Sequence, residues 1–330
     1  MSNKSLSSEN IGDSKEVQTT IIRNKIENSK LKHHNWWSRL IILSWIITLF
    51  ASSISLIFWR EFGLGEPFWW PILTLIIMLA IFISSLVKKD LKPLRRFIAV
   101  ILIIFLFGYG GGWQWGIIPA IRGSSVWIEW MNQMPWALSS ILTHLLRLSP
   151  ALAVLSFLLI TGRKRKDFFL VKGEIRAQVE PSKLIGMKSP EPWTKIGSIF
   201  AIVFTLGTLM FLLFSKFPSV NDFIRVLPLL PVSILIAAIN AFNEEFTLRA
   251  APLSELRGII GKKQALLITT LYFGLGHYYG VPSGLIGIAL SAYLGWFLGK
   301  SLLETKGFFW AWIIHFFPDV VIFTFYAMFP

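Results

Sequence analysis

Long apolar runs separated by short basic ones set the pattern of this chain. The runs Leu40–Trp59, Phe68–Val87, Phe97–Phe107, Ile141–Ile160, Ile196–Phe214, Leu227–Leu256, Gln264–Tyr279, Gly284–Gly299 and Phe308–Ala327 read as nine membrane-spanning helices. A hydrocarbon core about 30 Å thick asks for about 20 apolar residues at helical rise, and most of these runs come near that length. Residues 1–36 are rich in Ser, Asn, Lys and Glu and are expected to form a polar cytoplasmic tail, with a marginal helix near Val17–Lys32. No apolar segment begins before Trp36, so a cleavable signal is not expected. The third run breaks at Gly108-Tyr109-Gly110-Gly111-Gly112, whose glycines read as a flexible turn. Trp113–Trp136 is aromatic and turn-rich, as expected of a segment lying in the outer interface.

The longest polar interior stretch, residues 163–195, divides the chain. It is expected to be a basic cytoplasmic linker between a four-span region at 37–162 and a catalytic membrane domain at 196–330. The fold class is all-α: a polytopic helical membrane protein with a C-terminal catalytic bundle of four to five helices. The tail and the segments 88–96, 163–195, 257–263 and 300–306 are all basic. Nine spans with a cytoplasmic N-terminus put all five on the cytoplasmic side and the C-terminus outside.

Composition agrees. At 54% apolar and 15% charged residues, a chain of 330 residues carries more apolar surface than a soluble fold can hide. The excess of 32 Lys and Arg over 18 Asp and Glu gives +14, which in a soluble domain would suggest nucleic acid. Here the basic residues sit between spans, so topology accounts for them and no nucleic-acid partner is expected. The 15 tryptophans and 28 phenylalanines suit lipid contact and interfacial belts. With no cysteine there is no disulfide, thiolate metal site or cysteine nucleophile.

Charge inside the spans is the remaining signal. Glu244, Glu245 and Arg249 fall in the sixth run, and an ionisable group at mid-bilayer costs about 2.5–3.5 kcal/mol on insertion scales. Glu245 precedes Arg249 by four, the favourable order for a helical ion pair, so Glu245 is expected to neutralise Arg249. Glu244, about 100° round the helix, is left for chemistry, with Asn240 one turn before it. His277 lies in the seventh run, and His315 and Asp319 are four apart in the ninth. Helical rise puts Glu244 about 20 Å from Arg257, His277 about 21 Å from Lys263 and His315 about 14 Å from Lys306. Each group alone has a structural reading: a paired charge pinning helices, a packing histidine, a polar clamp. Similar depth on three helices favours a shared site. His144 and Arg147 read instead as an interface end, Arg163–Lys166 as a topology signal, and Trp310 and Trp312 as belt or packing residues.

The ordered set EExxxR (Glu244, Glu245, Arg249), FxxxH (Phe273, His277) and HxxxD (His315, Asp319) resembles the CPBP family of intramembrane proteases. That family includes type II CAAX prenyl endopeptidases and bacteriocin-processing and immunity proteins. The resemblance covers residues 240–320, and its third motif here ends in the acidic form, Asp319. It implies a glutamate-dependent endopeptidase acting on a membrane-associated peptide or lipidated protein. Glu244 and His277 would hold and activate a water, His315 and Asp319 would stabilise the oxyanion, and Glu245 and Arg249 would orient. His277, His315 and a glutamate could also form a His₂Glu zinc set. No HExxH is present, however, and a site without metal or cofactor is expected. Other readings are a proton- or ion-coupled transporter, and a non-proteolytic immunity or scaffold protein of the same fold.

Overall fold

The computed structural model describes residues 38–109, 115–280 and 282–329. The polar tail with its expected helix at 17–32, and the turn at Gly110–Gly112, lie outside the described residues. Leu43–Pro330 pack as one compact unit, while the unit Met1–Ile42 contributes only the start of the first helix to what is described.

Helices carry most of the described chain. They are α1 (Arg39–Ala51), α2 (Ile54–Glu61), α3 (Trp69–Val87), α4 (Arg95–Leu106), α5 (Ile117–Arg122), α6 (Ser125–Gln133), α7 (Trp136–Ile160), α8 (Trp193–Ser215) and α9 (Val220–Val226). There follow α10 (Leu230–Glu244), α11 (Ala251–Leu256), α12 (Lys262–Leu275), α13 (Gly284–Thr305) and α14 (Phe309–Met328). Six helical stretches are long and apolar enough to cross a membrane, and α1 with α2, bent by 51° at their junction, makes a seventh. All nine apolar runs are therefore helical, but two fall short of a full crossing. The 12 residues of α4 and 14 of α12 rise only about 18 and 21 Å, against a core of about 30 Å. Helix α4 is a buried core element, with Phe97, Ile98, Val100, Ile101 and Ile104 fully enclosed. It stops at Gly108, whose φ of +68° is a left-handed turn, and a Cβ there would meet Pro119 Cδ at 2.8 Å.

Helix α3 shows how sequence and solvent agree. Its buried positions are Pro71, Thr74, Met78 and Ser85, spaced three, four and seven apart on one face. Ile72, Ile76 and Ile83 are exposed on the rest of the helix. Pro71, Thr74 and Ser85 turn inward with Met78, and branched aliphatics turn outward, as suits packing in lipid.

The basic segments gather at one end of the bundle. Arg96 and Arg163 both donate to the buried carboxylate of Glu255, each at 2.8 Å. Arg257 donates to the Asp167 carbonyl at 3.1 Å and lies over the Phe169 ring. Asp167 in turn accepts from the Lys164 backbone N–H at 2.8 Å, which holds its carboxyl below the usual range. The stretch 163–195 is itself folded. Glu174 N donates to Thr305 O and Phe308 N to Val171 O, both at 2.8 Å. A two-residue antiparallel pair, β1 (Gln178–Val179) with β2 (Glu191–Pro192), closes the loop. The Trp193 indole N–H donates to Glu304 Oε2 at 2.9 Å and that of Trp310 to Ile175 O at 2.9 Å. Trp310 and Trp312, the latter donating to Ala238 O at 3.1 Å, are thus packing residues.

Candidate active site

The sixth run is one long helix with a widened turn in it. After Glu244 the backbone passes through a π-helical segment, Glu245–Ala250, in which Ala251 N–H reaches back five residues to Phe246 O. The sequence gives a reason: Pro252 has no N–H for the Leu248 carbonyl, and its ring crowds that oxygen in a regular helix. A π turn relieves the crowding and re-aims the side chains around it. Every residue from Asn243 to Leu256 is buried.

Arg249 has no measurable exposure and is ion-paired with Glu245, which has none either. The guanidinium lies over the Phe273 ring, 4.2 Å from its centroid. Room for it comes from α13, where a Cβ on Gly295 would come within 3.2 Å of both Arg249 Nη2 and Phe273 Cδ1. Phe273 also packs against His277 at a tilt of 44°, with centroids 4.4 Å apart, and meets His315 edge-on at 6.0 Å. The phenylalanine four residues before His277 is thus the apolar wall joining the cation to both imidazoles.

His277 lies just past the end of α12, where the helix gives way to tight turns. Its Nδ1–H donates to the Phe273 carbonyl at 2.8 Å, because a carbonyl can only accept. That leaves Nε2 pointing at Glu244 Oε2, 3.8 Å away. His315, on α14, is fixed from the other side: its Nδ1–H donates to Glu245 Oε1 at 2.6 Å. Its Nε2 stands 3.7 Å from Glu244 Oε2 and 3.7 Å from Asp319 Oδ1. Asn240 completes the group by donating from Nδ2 to Glu244 Oε1 at 3.2 Å and to Asp319 Oδ2 at 3.0 Å. Glu244, His277, His315 and Asp319 are thus brought together, with Glu245 and Arg249 immediately behind them.

Separations of 3.7–3.8 Å are too long for direct hydrogen bonds. They suit two acceptors that share a small donor between them. Access is uneven. The His277 and Arg147 side chains are each 31% exposed against 7% for His315 and Asp319, so the site opens past His277 and Arg147.

A residue read at the sequence level as an interface end also belongs here. Arg147 of α7 reaches Glu244 Oε1 with Nη2 at 3.3 Å, and its guanidinium carbon lies 5.8 Å from the Tyr109 ring centroid. The signal was present: Arg147 stands 13 residues inside the end of α7 at Ile160, about 20 Å by helical rise and so as deep as Glu244. His144, one turn earlier, packs edge-on against Phe323 and takes no part in the group.

With Arg147, Arg249 and His315 as cations and Glu244, Glu245 and Asp319 as anions, the charges around the site cancel, Arg147 being the one that is partly exposed. They cancel equally if one proton passes from His315 to Asp319. A desolvated cluster has reason to keep that balance.

Residues 226–321, which hold Glu244, His277, His315 and Asp319, match the family model described as Type II CAAX prenyl endopeptidase Rce1-like. The match supports placing the chain in the CPBP, or CAAX-protease, family of integral membrane proteases. No curated protein and no solved structure matches the chain.

Proposed function

We propose that the protein is an intramembrane endopeptidase in which Glu244 activates a water. What carries this reading is the spacing of three atoms: Glu244 Oε2 with His277 Nε2 at 3.8 Å and His315 Nε2 at 3.7 Å. A water between Glu244 and His277 can donate to both. As its oxygen attacks the scissile carbonyl carbon, its proton passes to Glu244. The carbonyl oxygen, now anionic, is met by the Nε2–H of His315 in its imidazolium form, whose Nδ1–H goes on donating to Glu245. One such donor in a dry site is worth about 3 kcal/mol at the transition state. Collapse of the tetrahedral adduct breaks the C–N bond, and Glu244 returns its proton to the departing amine. Asp319 lies beside His315, 3.7 Å from its Nε2, and can donate to the oxyanion only as a carboxylic acid. Glu245 and Arg249 orient from behind.

The mechanism proposed is metal-free. Among the described residues no three His, Asp or Glu side chains are arranged as a metal-binding group. Glu244 Oε1 already takes two N–H donors, while His277 and His315, each held through Nδ1, leave Nε2 free and facing Glu244 Oε2, as metal-bound imidazoles also do. No step is routed through a metal.

The substrate class that fits is a membrane-associated peptide or lipidated protein reaching the site past the exposed edge of His277. With the N-terminus cytoplasmic, the end of the bundle holding the four described basic segments faces the cytoplasm. The test is to map new peptide termini in isolated membranes exposed to the wild-type protein and to Glu244→Gln. The reading requires termini that depend on Glu244. Identical terminus maps would refute it, and favour a scaffold or immunity role for the same fold.

A further inference from the structure

Resting on that reading, we infer that Arg147 is a positioning residue for the catalytic carboxylate, supplied by a helix outside the segment 226–321. The two oxygens of Glu244 have divided surroundings. Oε1 receives Arg147 Nη2 at 3.3 Å and Asn240 Nδ2 at 3.2 Å. Oε2 receives no such donor from these residues and is the oxygen that faces His277 and His315. Two donors from two different helices fix the plane of a carboxylate more firmly than one, and the plane decides whether Oε2 points at the bridging water. Asn240 is on the same helix as Glu244, so it moves with it. Arg147 is on α7, which packs against α10, and so ties the carboxylate to an independent element.

The cation is itself held. Its guanidinium lies beside the Tyr109 ring, and Tyr109 is buried immediately after the Gly108 turn that ends α4. The short fourth helix therefore places an aromatic face where the arginine needs one. A snorkelling arginine at an interface end would run its stem toward the headgroups; this one turns onto an enclosed carboxylate. Arginine suits the role because it keeps its charge and presents several N–H donors in a fixed plane.

The inference is tested with Arg147→Ala, Arg147→Gln and Arg147→Lys in proteoliposomes, using a farnesylated CAAX-type reporter peptide as probe. A misplaced general base costs about 100-fold, so kcat in Arg147→Ala falls by that order while KM stays within about threefold. Lysine, a point charge with a shorter reach, recovers about tenfold of the loss, and glutamine recovers less. In a Glu244→Gln background, removal of Arg147 causes no further loss. Thermal melting identifies any variant that fails to fold, and the lysine and glutamine variants then carry the comparison. Wild-type kinetics in all three variants overturn the inference, as does a rise in KM at constant kcat, which makes Arg147 a substrate clamp. Full cleavage by Glu244→Gln with intact Arg147 is a different failure: it removes the proposed function itself.

Discussion

The Nδ1–H of His315 donates to Glu245 Oε1 over 2.6 Å, joining the ninth apolar run to the sixth at the centre of the bundle. Glu245 does two things at once: it fixes that imidazole and it balances Arg249, a fully enclosed cation. Among the described residues the other Arg249 nitrogens meet no hydrogen-bond acceptor.

Removing one side of that pair should therefore be severe. Glu245→Ala or Arg249→Ala leaves an uncompensated buried charge and is expected to cost about 3–5 kcal/mol. Replacing both at once, as Glu245→Gln with Arg249→Met, should recover most of the loss. Denaturant unfolding in detergent, followed by tryptophan fluorescence, gives the comparison. Single variants as stable as wild type would contradict the assignment of the pair.

A second prediction concerns the contact of α12 with α13. A Cβ on Gly274 would lie 2.8 Å from Ala292 Cβ and 2.9 Å from Ile288 O, so the helices must part to admit it. Overpacking of this kind costs about 1–3 kcal/mol. His277 follows three residues later and moves with the strain. Gly274→Ala should lower both melting temperature and turnover, whereas Gly207→Ala, where a Cβ meets nothing within 4 Å, should change neither. Melting curves and initial rates on the two variants decide it.

Stability and turnover should separate at Glu255. This carboxylate holds Arg96 and Arg163 at the basic end of the bundle, 11 residues from Glu244 and about 16 Å away along the helix. Its side chain is 3% exposed, but those of Arg96 and Arg163 are 47% and 24% exposed and can return to water. Glu255→Gln is expected to lose about 1–3 kcal/mol with kcat unchanged. A large drop in kcat at preserved stability would mean that this cluster communicates with the site.

Much of this was legible from residues alone because lipid makes polarity conspicuous. Glu244, His277, His315 and Asp319 stand out in apolar runs, and helical rise already put three of their helices at similar depth. The nine runs are all helical, but only six or seven are long enough to cross. What could not be read is where local chemistry overrides length. The break at Gly108 was legible, but not that the helix before it is a buried element too short to cross, nor that the helix expected at Gln264–Tyr279 ends at Leu275, before His277. The π turn depends on a clash between Pro252 and a carbonyl four residues earlier, which leaves no trace in hydropathy. Residues 163–195 look like a linker because they are polar, yet Trp193, Phe168 and Phe169 anchor them in the core. Arg147 was set aside because an arginine in a span has two readings, and only the facing helix distinguishes them.

The central claim is that Glu244 does the proton work of peptide hydrolysis. It is tested most directly by comparing wild type with Glu244→Gln in proteoliposomes on the reporter peptide, with product termini read by mass spectrometry. Glutamine keeps the size and the Oε1 acceptor for Asn240 but cannot take a proton from water. The account predicts a folded protein with a somewhat lowered melting temperature, from the lost charge balance, and a fall in kcat of about 10²–10⁴-fold, the usual worth of a general base. Cleavage by Glu244→Gln at the wild-type rate, with the same product termini, would contradict it.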